Sequence, residues 1–356
     1  MLCFRGLENG RTLQPYQLAI ESMDNLLVEV SWTLDDQLNF IDEISHQMLM
    51  TFFKEQLMSR CHIECLIHGN FTEQSAIDIC QELESLLTNS FQTKPLLAAE
   101  KFLKRAVNLP KDSYHLFRKV NVIRQQQQHL SAIDIFYQTG LQSVRSNIIL
   151  DLIVQVFHDA MFNELRTQQQ LGYIVYMYVK RLCGMQGLDF LVQSARPLSV
   201  IDLAIENFVA NMPDYLEKMS DKDFLTNVQS LETQILEKPK KLSCESTMHW
   251  NEIACRQYYF GRDKDEVEAL KLLTKTDLIV FCKEYFLVGS PKRKKLAVHV
   301  SPSFNNEDGG DVINGVVTPL PEPTIIKSIP EFKAFLPLYP LVKPQIPTTL
   351  HPMANL

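Results

Sequence analysis

The sequence predicts an α+β fold of two related units, and two observations carry that prediction. Residues 32–69 and 272–300 each run from a threonine-led helix pattern through a short basic loop to a strand pattern, which indicates an internal repeat. Between them, alternating apolar residues predict strands, and longer runs with helical spacing predict helices. We therefore expect antiparallel-rich sheets covered by helices on one side, with the first unit incomplete.

The first unit is predicted to consist of helices around one strand. Apolar residues recur at gaps of three, four or their multiples over residues 32–57, which predicts one long amphipathic helix with Thr33 and Asp36 as its capping box. Apolar residues then alternate over 63–67, as on a strand. A second helix is expected to begin behind Thr72.

The boundary between the two units is predicted near residue 108. Periodicity is lost over 94–102, and Pro110 precedes a strand-rich stretch. Residues 1–108 are then the C-terminal part of a unit whose earlier elements lie outside this sequence. Residues 109–356 form the second unit, which ends in an extended, proline-stiffened tail.

The second unit is predicted to contain a sheet and several helices. Alternating apolar residues predict strands over 114–120, 131–138, 172–179, 187–194 and 294–300. Helical spacing and capping residues predict helices over 146–165 and behind Ser199, Ser220, Ser243 and Thr274. Glycines in the segment 183–187 predict a turn that joins two of the strands as an antiparallel hairpin.

Composition narrows the class of protein. The 356 residues are 46% hydrophobic and 22% charged, as in soluble globular proteins and unlike disordered chains. The net charge of −7 argues against a nucleic-acid partner. No stretch approaches the roughly 20 apolar residues that a membrane span needs, so no membrane is expected among the partners.

Cysteine usage and the C-terminus bear on the compartment. Eight cysteines without a C-x-x-C pair predict reduced thiols in the cytoplasm, with Cys61 and Cys65 on one buried strand face. The terminal Ala354-Asn355-Leu356 lacks the basic middle residue of a peroxisomal S-K-L signal. A cytoplasmic location is therefore expected, peroxisomal import is not, and mitochondria are left open.

No metal or nucleophile site is predicted within this sequence. None of the nine histidines stands in H-E-x-x-H or H-x-x-E-H, and His62 and His68 lack a carboxylate at ligand spacing. The motifs G-x-S-x-G, G-x-x-x-x-G-K-[ST] and G-x-G-x-x-G are also absent. We therefore expect no metal ligand and no catalytic residue in this chain.

The stretch Phe162–Val175 is the most informative one. Its pattern F-x-x-L-R-T-x-x-Q-L-G-Y-x-V resembles a segment in the fourth domain of the pitrilysin-type (inverzincin) zinc metallopeptidases, the family of the insulin-degrading enzymes. The resemblance continues in order through SRCHIECLIHGNFT, LEKPKKLS, HWNEI, LLTKTDL and LPLYPLVKP. It implies that this chain matches the end of the third domain and the fourth domain, whereas the H-x-x-E-H zinc site belongs to the N-terminal half.

The resemblance also implies roles for three residues. Arg166 and Tyr173 match the family's pair that reaches into the catalytic chamber, and Phe162 matches a wall of the substrate side-chain pocket. A fixed cation and a phenolic donor are groups that can stabilise the oxyanion formed when water attacks a peptide carbonyl. From the residues alone, Arg166 can equally cap the end of its helix, and Tyr173 can lie half-buried on a strand.

A lysine cluster is the second candidate site. Lys238, Lys240 and Lys241 match the family's segment for ATP and other polyanions. Cations beside a helix N-terminus suit phosphate groups. A solvated loop is the alternative interpretation, because short lysine clusters are common.

The family implies a function for the complete protein. It is a zinc metalloendopeptidase that encloses and cleaves short peptides, with the zinc held outside this chain, so the isolated chain is expected to be inactive. The implied partners are peptide substrates, an N-terminal catalytic half and a second copy in a homo-oligomer. The alternative is a non-catalytic scaffold or peptide-binding protein with the same fold.

Overall fold

A six-stranded mixed sheet forms the centre of the computed structural model, which describes residues 13–121, 130–302 and 321–345. The strands are β1 (Arg60–Cys61), β2 (Lys94–Pro95), β3 (Ser113–Val120), β4 (Ser131–Leu141), β5 (Ile174–Leu182), β6 (Met185–Ser194), β7 (Lys294–Ser301) and β8 (Thr324–Ile326). The large sheet has the order β5-β6-β4-β7-β3-β8. It is antiparallel from β5 to β7 and parallel where β3 pairs with β7 and β8. The α+β class is confirmed.

Eleven α-helices lie in the described part of the chain. They are α1 (Pro15–Leu27), α2 (Leu34–Ile41), α3 (His46–Phe52), α4 (Glu73–Phe91), α5 (Val144–Met161), α6 (Leu198–Lys218), α7 (Asp221–Leu236), α8 (Leu242–Ala254), α9 (Arg262–Lys271), α10 (Lys275–Tyr285) and α11 (Ile329–Ala334). The predicted strands of the second unit are all present. Helices α1, α9 and α11 were not predicted.

Strand β4 shows how the layers are arranged, because it is buried on both faces. Ile133, Ile135 and Tyr137 pack into the core beneath α5 and α6. Ala132 and Phe136 point the other way, as alternate strand residues must, and pack under α1. The expectation that helices cover one side is therefore wrong, since α1 covers the second face. The predicted boundary near residue 108 assigns α1 to the first unit, yet α1 packs on the sheet of the second unit. The boundary itself stays a prediction.

The single long helix predicted over residues 32–57 is broken in the structure. Helix α2 ends at Ile41, and a new helix, α3, begins behind Ser45. The Ser45 hydroxyl accepts a hydrogen bond from the Met48 amide at 3.1 Å, and this cap stabilises a second helix start. Helix α3 then continues as a π-helical turn over Phe53–Leu57.

Other predictions for the first unit have mixed outcomes. The capping box of Thr33 and Asp36 is confirmed, and Thr72 caps α4 as predicted. Residues 63–67 do not form a strand, so that prediction is wrong. Strand β1 pairs only over its two residues with β2, and the described chain places no further strand beside the segment that follows β1. An extended segment needs a hydrogen-bonding neighbour to form a strand.

The region from α2 to α4 is largely exposed. The exposed fractions of Phe40, Phe52 and Leu86 are 55%, 55% and 57%, and α4 has no buried residue. Cys65 is also exposed, and Cys61 is only half-buried, so the prediction that both lie on a buried face is wrong. Their burial would need a layer that the described residues do not provide.

Two helix starts in the second unit differ from the prediction. Ser199 and Ser243 lie within the first turns of α6 and α8, and the N-cap of α8 is Lys241. Ser220 and Thr274 cap α7 and α10 as predicted. None of the helices described is long and apolar enough to cross a membrane. The tripeptide weighed for peroxisomal import lies outside the described residues.

Candidate functional site

Helix α5 leads directly into the predicted site. Its last turn widens into a π-helical turn over Phe162–Gln168, which places Phe162 and Arg166 on one short segment. Such π-helical turns inside or at the ends of α-helices are frequent at functional sites. The buried side chain of Leu165 holds the turn against the core, so its neighbours have a rigid support.

The structure brings the three residues of the predicted substrate site together. The guanidinium carbon of Arg166 lies 4.6 Å from the ring centroid of Phe162 and 5.4 Å from that of Tyr173. Both distances fall within the range of a cation–π interaction. We name Phe162, Arg166 and Tyr173 the arginine–aromatic cluster. Two aromatic faces therefore restrict where the cation can lie.

The cluster is open to solvent. Tyr173 is 89% exposed and Phe162 is 37% exposed, whereas Arg166 is half-buried. The interpretation of Tyr173 as a half-buried strand residue is therefore wrong, because it lies just before β5 with its ring in solvent. Within the described residues, no carboxylate lies within ion-pair distance of Arg166. Its guanidinium donors are free to bind an oxygen of another molecule.

Gly172 fixes the approach of this segment to the sheet. A Cβ at Gly172 would lie 2.0 Å from the carbonyl oxygen of Gln193 on β6, a distance that requires the backbone to move. Gln170, two residues earlier, has φ of 51°, and Leu171 is buried. The turn into β5 therefore needs a glycine because the chain passes against the neighbouring strand.

Glu164, an acidic residue of the same turn, was not predicted from the sequence to be a site residue. Glu164 is half-buried, and desolvation raises the pKa of its carboxyl group above the ordinary value. It lines a cavity of about 270 Å³ together with Phe157, Phe208 and Tyr215. No sequence motif marks Glu164, because its burial depends on α6 packing beside α5.

The lysine cluster lies on a different element from the arginine–aromatic cluster. Lys238, Lys240 and Lys241 are exposed in the connection from α7 to α8, and Lys241 is the N-cap of the 13-residue helix α8. Lys240 is paired with Glu237 at 2.7 Å. That contact neutralises part of the local positive charge. The remaining two lysines stand beside the helix N-terminus, where the helix dipole favours anions.

A third group of residues comes together that the sequence did not reveal. The donor atoms of His68, Glu245 and His249 all lie within 4.8 Å of one another. From the sequence, neither His62 nor His68 was expected to have a carboxylate partner, whereas the structure places His62 beside Glu64 and His68 beside Glu245. The spacing of Glu245 and His249, one helical turn apart, was the only sequence signal for this group.

Comparisons with known proteins give consistent results. Residues 152–250 match the family model described as PQQ synthase PqqF-like, C-terminal lobe domain 4. The chain is 40% identical over 350 residues to insulin-degrading enzyme from Homo sapiens and 31% identical over 342 residues to insulin-degrading enzyme from Drosophila melanogaster. Each alignment covers 96% of this chain and 34% of the relative. The chain thus spans about a third of the length of these relatives.

Solved structures support the same fold. Pitrilysin superimposes with a TM-score of 0.75 at 18% identity, over 94% of this chain and 34% of pitrilysin. At this level of identity the match concerns the fold alone. Together, the long alignment to curated relatives and the superposition agree with the sequence resemblance. The chain is therefore a homologue of insulin-degrading enzyme, aligns with the C-terminal third of that protein, and has the pitrilysin fold.

Proposed function

We propose that this chain is the C-terminal, substrate-binding part of a zinc metalloendopeptidase similar to insulin-degrading enzyme. The observation that carries the proposal is the arginine–aromatic cluster, in which the Arg166 guanidinium contacts the rings of both Phe162 and Tyr173. It lies in the stretch that carries the family pattern, within the residues matched by the family model. The complete protein would enclose and cleave short peptides.

The chain's own residues would bind and orient the peptide. Phe162 offers an exposed ring for an apolar side chain, and Arg166 and Tyr173 offer donors to a carbonyl oxygen. The cation needs little reorganisation when charge develops on that oxygen, because the aromatic contacts already hold the guanidinium.

The arginine–aromatic cluster does not hold the catalytic zinc of the proposed peptidase. The sequence contains no H-x-x-E-H motif, and the arginine–aromatic cluster provides a cation and two aromatic rings rather than ligands. The zinc ligands and the general base would belong to an N-terminal catalytic half. We therefore expect the isolated chain to be inactive in peptide hydrolysis.

The exposed face of the first unit supports a partner of this kind. Phe40, Phe52 and Leu86 are each more than half exposed, so a partner that covers them would remove apolar surface from water. We propose that residues 1–108 belong to a third pitrilysin-type domain whose remaining elements cover this face, and that 109–356 form the related fourth domain. The curated relatives, about three times as long as the alignment, contain chain enough to do so.

We also propose a regulator, further partners and a cellular compartment for the complete protein. Lys238, Lys240 and Lys241 would bind ATP or another polyanion beside the N-terminus of α8. Peptides and a second copy in a homo-oligomer are the other proposed partners. The complete protein would act in the cytoplasm.

Complementation tests the proposal. The purified chain is mixed with the N-terminal two thirds of human insulin-degrading enzyme, and cleavage of a quenched fluorescent peptide is followed with zinc present. We expect cleavage by the mixture and none by either part alone. A mixture that assembles by sedimentation but stays inert, together with an inert fusion of the same two parts, would instead favour the non-catalytic scaffold.

A further inference from the structure

Two imidazoles and a carboxylate converge where the segment after β1 meets helix α8. Glu245 and His249 lie one turn apart on α8, so both side chains project from the same face of the helix. His68 reaches this face from the loop that follows β1. One donor atom from each of the three side chains lies within 4.8 Å of the other two.

Neighbouring contacts orient His68. Its Nδ1 lies 2.8 Å from the Ser246 hydroxyl oxygen, whereas its Nε2 lies 3.8 Å from the nearer carboxylate oxygen of Glu245. The first distance is a hydrogen bond and the second is too long for one. When Nδ1–H donates to Ser246, the Nε2 lone pair faces Glu245, which is the tautomer that a metal ligand needs.

Packing holds the second imidazole. The His249 ring contacts the His68 ring edge-on, with 5.5 Å between centroids, and it also packs 6.1 Å from the Phe260 ring. The two imidazoles are thus neighbours without a hydrogen bond between them in the described structure. Glu245 makes its ion-pair contact with His68 alone among the residues described. Each of the three donors can therefore turn toward a common point.

We propose that His68, Glu245 and His249 form a zinc-binding site that joins the loop after β1 to helix α8. Two imidazole nitrogens and a carboxylate oxygen are a ligand set that zinc accepts, with water in the fourth position. Tetrahedral zinc with bonds of about 2.0–2.1 Å places its ligand atoms about 3.3 Å apart. Side-chain rotation would bring the three donor atoms, which lie within 4.8 Å of one another, to that separation when zinc binds. Ser246 is the positioning residue, because its hydroxyl oxygen lies 2.8 Å from Nδ1 of His68 and can accept from Nδ1–H while Nε2 binds the metal.

Zinc at this site would link the loop after β1 to helix α8. Strand β1 and the loop after it are held by few pairing contacts, since β1 pairs over two residues only. Zinc bound to His68 and to two ligands on α8 would tie this loop to the helix. The inference is independent of the proposed peptidase function, because it concerns neither the arginine–aromatic cluster nor peptide cleavage.

Calorimetric titration of zinc chloride into the metal-free, reduced full chain tests the site. We expect one zinc bound by the wild type and a weaker complex for His249→Gln and His68→Gln. Loss of outer contacts alone costs about 10- to 100-fold in metal affinity, so loss of a ligand should cost at least as much, and Ser246→Ala somewhat less. His158→Gln is the matched control, since His158 is an exposed imidazole 3.0 Å from one carboxylate, Asp159, and should leave zinc affinity unchanged.

Two further measurements separate this site from zinc binding elsewhere on the chain. Zinc should raise the melting temperature of the wild type and of His158→Gln but not of His249→Gln, because a ligand that binds the folded state stabilises it. Cobalt substituted for zinc should give a spectrum without a thiolate charge-transfer band, which separates the site from exposed cysteines such as Cys244. Equal zinc affinity in the wild type and His249→Gln, or thiolate ligation in the cobalt spectrum, would overturn the proposal.

Discussion

The guanidinium of Arg166 lies over the ring of Phe162, with 4.6 Å between the guanidinium carbon and the ring centroid. The two residues are one turn apart on the π-helical segment that ends α5. The ring therefore acts as a platform that limits the positions open to the cation. The ring centroid of Tyr173 lies 5.4 Å from the same guanidinium carbon.

Replacing Phe162 tests the platform. In the complemented mixture, we expect Phe162→Ala to raise KM for an apolar peptide by about two- to fivefold, which corresponds to the 0.5–1 kcal/mol of an exposed cation–π contact. Steady-state kinetics over a range of peptide concentrations measure the change. Phe335→Ala is the control, because Phe335 is 89% exposed and lies behind α11. Equal KM values for the two variants would argue against a role of Phe162 in binding.

Replacing Gly172 tests the close approach to β6. The new methyl group of Gly172→Ala would meet the Gln193 carbonyl oxygen at 2.0 Å, so the backbone must shift. We expect the free energy of unfolding to fall by about 1–3 kcal/mol, as for other overpacked positions. Gly261→Ala should change it less, since no atom lies within 4 Å of a Cβ there. Denaturant unfolding of both variants gives the comparison, and equal midpoints would contradict the steric account.

The free energy of unfolding should depend on pH through His299. Burial lowers the pKa of this imidazole to about 4, from an ordinary 6.5, although Asp202 at 3.9 Å opposes the shift. The unfolded state then binds more protons between these values, so stability is full above pH 6.5 and falls as the pH drops toward 4. The integrated loss is roughly 3 kcal/mol at most.

Unfolding by denaturant at several pH values between 7 and about 4 measures this effect. His299→Gln should show a flatter dependence of the unfolding free energy on pH than the wild type. His158→Gln serves as the control, because His158 is exposed and should leave the dependence as it is. The same slope in all three proteins would mean that His299 is protonated in the folded state.

The lysine cluster should bind polyphosphate. We expect Lys238→Gln with Lys241→Gln to weaken tripolyphosphate binding about three- to tenfold, because two cations are removed beside the α8 N-terminus. Calorimetry in the absence of divalent cations measures the affinity. Lys283→Gln with Lys292→Gln removes the same charge from lysines paired with Glu217 and Glu284. Equal weakening in both double variants would indicate a general charge effect without a site.

Local sequence patterns predicted the sheet well. The alternation over 131–138 and 187–194 corresponds to β4 and β6, because it reflects burial in a sheet that the chain itself completes. The predicted turn over 183–187 is shorter in the structure: Gly184 lies between β5 and β6, whereas Gly187 lies within β6. The segment 63–67 has the same alternation but no described strand beside it, and it remains irregular. Periodicity thus predicts which face can be buried, whereas strand formation also needs a neighbour.

The candidate sites were predictable to different degrees. The family pattern identified Arg166 and Tyr173, and only the structure showed that the guanidinium contacts two rings. The group of His68, Glu245 and His249 was missed because its members are brought together by the packing of a loop on α8. The same holds for α1, whose placement on the second face of the sheet depends on contacts distant in sequence.

Measuring how much Arg166 contributes to turnover tests the proposed function most directly. The rate of peptide cleavage is measured for the complemented mixture with the wild-type chain, Arg166→Gln, Tyr173→Phe and the control Arg145→Gln, whose guanidinium pairs with Asp277 on the surface. We expect Arg166→Gln to lower kcat by about 10²- to 10³-fold with a smaller change in KM, as for loss of an oxyanion-stabilising group. Tyr173→Phe should have a smaller effect and Arg145→Gln none. An unchanged kcat for Arg166→Gln in an assembled, active mixture would contradict the account.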